Sequence, residues 1–74
     1  MANSMAPYTR PALLESIGVA NALALTSDTT SEYLHWEARE MELRAKAGHI
    51  TPAENETIAK ISRQKREVYC GEFD

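Results

Sequence analysis

Few side chains of this 74-residue chain have the types and spacing that catalysis or metal binding requires, and Glu32 and His35 come nearest. Their Glu-x-x-His spacing is the one by which di-iron bundles place two ligands on one helix face. Such a centre needs a second motif and two further carboxylates, which a symmetric dimer with Glu67 nearby would supply. Glu32 is more simply explained as the acid of a capping box that Thr29 begins. We expect no bound metal, and a metal-binding helical bundle is our second alternative function.

A thiol enzyme would need Cys70, the only cysteine, beside His35 as its base. The two are predicted to lie toward the same end of the molecule. The sequence offers no third orienting group, however, and no glycine-rich phosphate loop. We therefore expect no catalytic residues, no cofactor and no enzymatic activity. A single thiol is typical of proteins in the reducing cytosol, so we expect a cytoplasmic location.

A cluster of basic residues lies toward the C-terminus and comprises Lys60, Arg63, Lys65 and Arg66. Used by a dimer, this basic patch would make the protein a nucleic-acid-binding regulator, which is our first alternative function. The composition argues against it, because 8 Lys and Arg against 11 Asp and Glu give a net charge of −3. We interpret the patch as the solvated end of a helix and do not expect nucleic acid as the partner.

Four aromatic residues are our candidates for binding a partner protein, namely Tyr33, Trp36, Tyr69 and Phe73. The predicted fold brings them to the end of the molecule away from its tight turn. Tyr and Trp are enriched in the binding hot spots of protein interfaces. The alternative, which the sequence leaves open, is that Trp36 completes a small core against the first helix.

The elements that position these residues are organised around a short link between two helices. Gly48 can adopt the left-handed conformation that ends a helix without a Cβ penalty. Thr51 can cap the next helix, Pro52 suits its first position, and Glu54 completes a Thr-x-x-Glu capping box. So short a link predicts that the flanking helices fold back on each other as an antiparallel helical hairpin.

Apolar spacing and caps predict one helical domain with three helices, over residues 11–25, 30–47 and 52–70. Residues 1–10 show no periodicity and are predicted to form a flexible N-terminal arm, and residues 71–74 an acidic C-terminal tail. The first helix is almost uncharged, but it is shorter than the ~20 apolar residues that a bilayer requires. We therefore predict no targeting segment and no contact with a membrane.

The contacts within the hairpin follow from the apolar stripes of its helices. The inner stripe of the second helix is predicted to be Leu34, Ala38, Met41 and Ala45. A second seam widens this apolar face and comprises Tyr33, Trp36, Leu43 and Ala47. The third helix offers Ile58, Ile61 and Val68. In the hairpin the stripes face each other, so that Met41 lies opposite Ile58.

The fold class that we predict is all-α, an antiparallel helical hairpin with a shorter apolar N-terminal helix packed on it. A chain this short buries only about 60% of its unfolded surface, and its first helix is apolar on most sides, so we expect a homo-oligomer. Without a catalytic constellation, we expect a non-enzymatic protein-binding module, an adaptor or inhibitor of a larger protein. Proteins of bacteriophages and mobile elements are often of this kind, and we expect this chain to be one of them.

Overall fold

The computed structural model describes residues 9–71, and within them it contains three α-helices and no strand. Helix α1 spans Arg10–Leu25, α2 spans Thr30–Ala47 and α3 spans Pro52–Gly71. These limits differ from the predicted ones by one residue at most. The part of the chain that the structure describes is therefore all-α, as the sequence predicted. Residues 1–8 of the predicted arm and 72–74 of the predicted tail lie outside the described residues.

Side-chain caps explain where the helices begin. Thr9 accepts a hydrogen bond from the Ala12 N–H at 3.2 Å, so α1 begins one residue earlier than predicted. The Thr51–Glu54 box is complete, because the Glu54 N–H donates to the Thr51 hydroxyl at 3.1 Å and the Thr51 N–H to the Glu54 carboxylate at 3.0 Å.

The second predicted capping box, at the start of α2, is only half formed. Thr29 accepts from the Glu32 N–H at 3.1 Å, as the box requires. The Glu32 carboxylate, however, accepts from the N–H of Asp28 at 3.4 Å. One orphan N–H group of the first turn is therefore capped as predicted, and the returning bond is displaced by one residue.

Gly48 ends α2 as predicted and has a positive φ, but it does not adopt the predicted left-handed conformation. Its φ is 74° and its ψ is −138°, an extended region rather than the left-handed helical one. Its N–H donates to the Arg44 carbonyl oxygen at 3.0 Å, which closes the last turn. Residues other than glycine are strained at such a φ, so the type of residue 48 fixes where the chain reverses.

Helix α1 lies between the other two helices and packs against both. Arg10 at its start binds the Ala47 carbonyl at the end of α2, and Asn21 reaches Glu40, so α1 and α2 run in opposite directions. Arg10 also binds Glu54 and Asn21 binds Ser62, so α1 and α3 run in the same direction. Among the described residues, no backbone packing joins α2 to α3. The predicted direct packing of these two helices is therefore wrong.

The hydrophobic core is built around α1, whose scarcity of charge allows burial on two sides. The core residues are Leu13, Leu14, Ile17, Ala20, Leu43 and Ile58. Ile17 is fully buried and Leu43 is 2% exposed. Most of the apolar surface that we expected to drive self-association through the first helix is thus buried within one chain, because α2 and α3 cover α1 from two sides, whereas Leu25 at its end is 54% exposed.

Helix α2 faces the core with three of the four residues of its second predicted seam, whereas the fourth, Tyr33, is 38% exposed. The predicted inner stripe is wrong. Trp36 and Ala47 pack against the core beside the buried Leu43. Leu34 is 55% exposed and Met41 is 65% exposed, and the alanines of that stripe are exposed as well. The two stripes lie on opposite sides of α2, so only one of them can face α1.

Helix α3 approaches α1 closely at Gly18. A Cβ atom there would lie 2.6 Å from Cγ2 of Ile61 and 3.1 Å from the Ile58 carbonyl oxygen. Only glycine leaves room for this approach. Ile58 is buried and Ile61 half-buried, as their predicted stripe requires, but Val68 of the same stripe is 69% exposed. Its prediction as a packed residue is wrong, and the structure instead buries Ser62, which the predicted stripe did not include.

Arg10 joins the ends of all three helices. Its guanidinium donates two hydrogen bonds of 2.9 Å to the Glu54 carboxylate, and further ones to the carbonyl oxygens of Ala47 and His49. The hydrogen bond from Arg10, reinforced by that from the Thr51 N–H, lowers the pKa of Glu54 to about 2. Arg10, predicted to belong to the flexible arm, is therefore part of the helical domain.

Candidate protein-binding site

Of the four aromatic residues predicted to bind a partner, the three that the structure describes occupy different parts of it. Trp36 is half-buried on α2 and packs against the core. Tyr33 is 38% exposed and lies in a separate recess beside the connection between α1 and α2, together with Leu25. Tyr69 is half-buried on α3, and Phe73 lies outside the described residues. The structure thus separates Trp36 from Tyr69, since α1 lies between their helices.

Trp36 forms one wall of an open groove between α1 and α2, with a volume of about 410 Å³. Its floor is apolar and includes Val19 together with the buried Ala20 and Leu43. Glu15 of α1 and Arg39 of α2 lie at its rim. We call this surface the Trp36 groove. An apolar floor with a polar rim is the usual anatomy of a site that receives one anchoring side chain.

The indole ring of Trp36 is held in place from two sides. One side packs against the core, and the ring of His35 makes an edge-on contact with a centroid distance of 4.8 Å and an interplanar angle of 82°. Edge-to-face pairs of this kind are favourable because of the ring quadrupole. Trp36 therefore packs against the core, as one of the two interpretations requires, and it also lines the groove. Its role in binding a partner stays a prediction.

The charges at the rim are available to a partner. Arg39 forms an ion pair of 3.1 Å with Glu42 on the same helix, with 40% and 65% of the two side chains exposed. An exposed pair of this type contributes only about 0.3–0.5 kcal/mol, so Arg39 can exchange it for a new carboxylate at little cost. Glu15 is exposed on the other rim. The rim of the groove thus carries one accessible charge of each sign.

A chain of side-chain hydrogen bonds fixes the two helices of the groove relative to each other. The buried Ser62 hydroxyl donates to the Asn21 side-chain oxygen at 2.6 Å, and the Asn21 amide donates to Glu40 at 3.1 Å. Arg44 donates to the other oxygen of Glu40 at 3.1 Å. This Asn21 network crosses from α3 through α1 to α2, and it sets their register because a buried polar group must keep its partner.

Sequence reasoning missed the Asn21 network, although it carried a recognisable signal. Asn21 lies within the apolar run of α1. A single amide within an otherwise apolar helix is costly unless it is hydrogen-bonded, so its presence indicates a polar partner on a neighbouring helix. Ser62, in the middle of α3, is the corresponding signal on the other side.

The other side of α2 carries the apolar residues that were predicted to face the core. We call Leu34, Ala38, Met41 and Ala45 the outer stripe. Ala38 and Met41 line a shallow depression together with His35, Glu42 and Arg39, the last of which also borders the Trp36 groove. No residue of the described chain buries Leu34 or Met41, which are among its most exposed large apolar side chains.

The candidate metal ligands and nucleophile are not brought together. Glu32 is engaged at the start of α2, and the exposed His35 contacts Trp36. Glu67 and the exposed Cys70 lie on α3, in a recess beside the end of α1. Within residues 9–71, no group of three or more His, Cys, Asp or Glu side chains is placed to hold a metal ion.

The basic patch of α3 is spread around the helix. Lys60 and Arg63 are exposed, whereas Lys65 and Arg66 are half-buried. Arg66 donates to the Ser62 carbonyl oxygen at 3.3 Å, and Arg63 shares a recess with it. Four cations that differ in exposure and direction do not form the continuous basic surface that follows a phosphate backbone.

No protein-family model, curated protein or solved structure matches the chain. Of the three helices described, none combines the length and the apolar character that crossing a membrane requires.

Proposed function

We propose that the protein is a small non-enzymatic protein-binding module that acts through its helix faces as an adaptor or inhibitor of a larger protein. The observation that supports this best is the Trp36 groove, in which a half-buried indole and an apolar floor lie between two charged rims. Trp is the residue most often found at binding hot spots, and hot spots are desolvated pockets surrounded by polar groups.

The dimensions of the groove indicate what it would bind. Its volume of about 410 Å³ is near the lower end of the ~300–1,000 Å³ typical of ligand sites, which suits one large apolar side chain with its backbone. We propose that the partner presents this side chain on an amphipathic helix that lies along α1 and α2. A basic residue on one side of the anchor would meet Glu15, and an acidic residue on the other would meet Arg39.

We further propose that the chain self-associates and works in the cytoplasm. Exposed apolar side chains on α2 support self-association, because residues 9–71 leave these side chains uncovered. The single exposed thiol of Cys70 supports the cytoplasmic location, since this thiol would be prone to oxidation in an oxidising compartment. A bacteriophage or mobile-element protein that modulates a host factor would have these properties.

Capture from the native host with a matched pair of charge reversals tests the proposed site. Arg39→Glu changes the rim of the Trp36 groove, and Arg63→Glu makes the same change on an exposed position of α3. Mass spectrometry should find a protein that the wild type and Arg63→Glu retain and Arg39→Glu loses. If only the Arg63→Glu variant fails to retain this protein, the binding surface is the basic patch, and the proposal that the Trp36 groove binds the partner is refuted.

A further inference from the structure

The outer stripe of α2 has the spacing of a seam between two helices. Leu34, Ala38, Met41 and Ala45 follow one another at intervals of four, three and four residues, the alternation of d and a positions in a coiled coil. The seam points away from α1, because the core-facing residues of α2 lie on its other side. With Leu34 55% and Met41 65% exposed, the stripe is long and regular enough to receive a helix.

We propose that the occupant is a second copy of this chain, with the two α2 helices antiparallel about a twofold axis between residues 39 and 40. In this register Leu34 lies against Ala45 of the second copy, and Ala38 against Met41. Each of the four layers then pairs one large side chain with one alanine. The sequence of the stripe is thus complementary to itself when reversed, and the alanines allow the helices to approach closely.

The charges beside the stripe favour the antiparallel arrangement over the parallel one. Beside an antiparallel seam, Glu37 lies nearest Arg44 of the second copy, and Glu42 lies nearest His35. A parallel seam would instead bring Glu37 against Glu42 of the second copy, twice in each dimer. Like charges across a helix interface are repulsive, so orientation follows from these flanking residues.

The arrangement has a consequence for the Trp36 groove. Since the outer stripe and Trp36 lie on opposite sides of α2, a dimer joined by the stripe keeps both grooves open and facing away from each other. Two sites on one particle raise the avidity for a partner that is itself dimeric or repeated. The proposal deepens the self-association proposed above. Its test involves no partner protein, so it can fail while the groove function stands.

Sedimentation velocity of the full chain measures the association directly. We expect a concentration-dependent monomer–dimer equilibrium for the wild type. Met41→Glu should raise the dissociation constant of the dimer by at least about 100-fold, because the twofold axis places two buried charges in each dimer. Val68→Glu is the matched control, since Val68 is 69% exposed on α3 and outside the stripe, and it should leave the equilibrium unchanged. Circular dichroism verifies that both variants are folded.

Single cysteines test the register in a Cys70→Ser background. Chains carrying Leu34→Cys and Ala45→Cys are mixed and oxidised, and a disulfide between the two different chains is expected. Each chain alone should cross-link poorly, because residue 34 then lies 11 residues, about 16 Å, from its own counterpart along the helix axis. A strictly monomeric wild type, a dimer insensitive to Met41→Glu, or efficient 34–34 cross-linking would overturn the proposal.

Discussion

Arg10 and Glu54, 44 positions apart in the sequence, are joined by two hydrogen bonds of 2.9 Å that close the molecule at the turn between α2 and α3. Arg10 also binds the carbonyl oxygens of Ala47 and His49, at the end of α2 where the helix dipole is negative. Glu54 is at the same time the acid of the capping box that begins α3. One ion pair therefore fixes the beginnings of α1 and α3 to the end of α2.

The Arg10–Glu54 pair makes stability depend on acid pH. The pKa of Glu54 is about 2 in the folded protein, below its ordinary 4.5, so the ionised form is favoured by folding. This contribution is complete above pH 4.5 and is lost as the pH falls toward 2. Glu54→Gln keeps a capping side chain but removes the charge. We expect the variant to unfold at a lower temperature than wild type at pH 7, with the two midpoints converging at pH 2.

Thermal melts followed by circular dichroism between pH 7 and pH 2 check this convergence. Because the two side chains are 39% and 24% exposed, salt should reduce the difference at pH 7 as well. If the difference in melting temperature between wild type and Glu54→Gln does not depend on pH or salt, the ion pair does not stabilise the protein as described.

Gly18→Ala is expected to destabilise the protein although alanine is the better helix former. The propensity gain is about 1 kcal/mol, but the added Cβ would lie 2.6 Å from Ile61 Cγ2 and 3.1 Å from a backbone oxygen. Overpacking of this kind costs about 1–3 kcal/mol. In an Ile61→Ala background the penalty should become smaller, and urea denaturation of the four proteins measures this coupling. A stabilising Gly18→Ala would show that α1 and α3 are further apart.

Asn21→Ala and Ser62→Ala are expected to be strongly coupled. Each removes one end of a 2.6 Å hydrogen bond whose other end is held on the neighbouring helix. Either single variant should cost about 1–3 kcal/mol, because it leaves a poorly solvated polar group behind. The double variant should lose less than the sum of the two, by about 0.5–3 kcal/mol in a double-mutant cycle. Strict additivity would mean that the Asn21 network does not position the helices.

Trp36→Ala is expected to affect both stability and binding. Trp36 is half-buried against the core, so its truncation should cost about 1–3 kcal/mol and leave a folded helical protein. Capture of the partner should be lost, whereas Tyr69→Ala, on the other side of α1, should retain it. Thermal melts and capture in parallel separate the two effects. If the Trp36→Ala variant unfolds completely, Trp36 acts only as a core residue and its proposed role in binding is refuted.

The ends of the helices could be predicted from the sequence, because they depend on local chemistry. Gly48 with its positive φ and the Thr51–Glu54 box contain all the information that their turn requires. The choice between the stripes of α2 could not be predicted. Leu34 and Leu43 belong to seams of equal apolar character, and the selection between them depends on α1, through Asn21 and Glu40. Periodicity alone therefore does not determine which stripe of α2 is buried, because this depends on contacts with residues distant in the sequence.

The position of Arg10 shows the same limit for the N-terminal region. The residues before it have no periodic pattern, so sequence reasoning placed it in the flexible arm. Its ligands lie on α2, in the turn and on α3, and they come together only when the three helices are packed. A cation whose partners lie 37 to 44 positions away has no local signal.

Photo-cross-linking from the two sides of the molecule tests the central claim, that the Trp36 groove holds a partner while the outer stripe holds a second copy. A photoreactive residue in place of Glu15 should yield a product with a different protein, and one in place of Leu34 a product of twice the chain mass. The same residue at the exposed Glu56 of α3 is the control and should yield neither. Identical products from positions 15 and 56 would contradict the account.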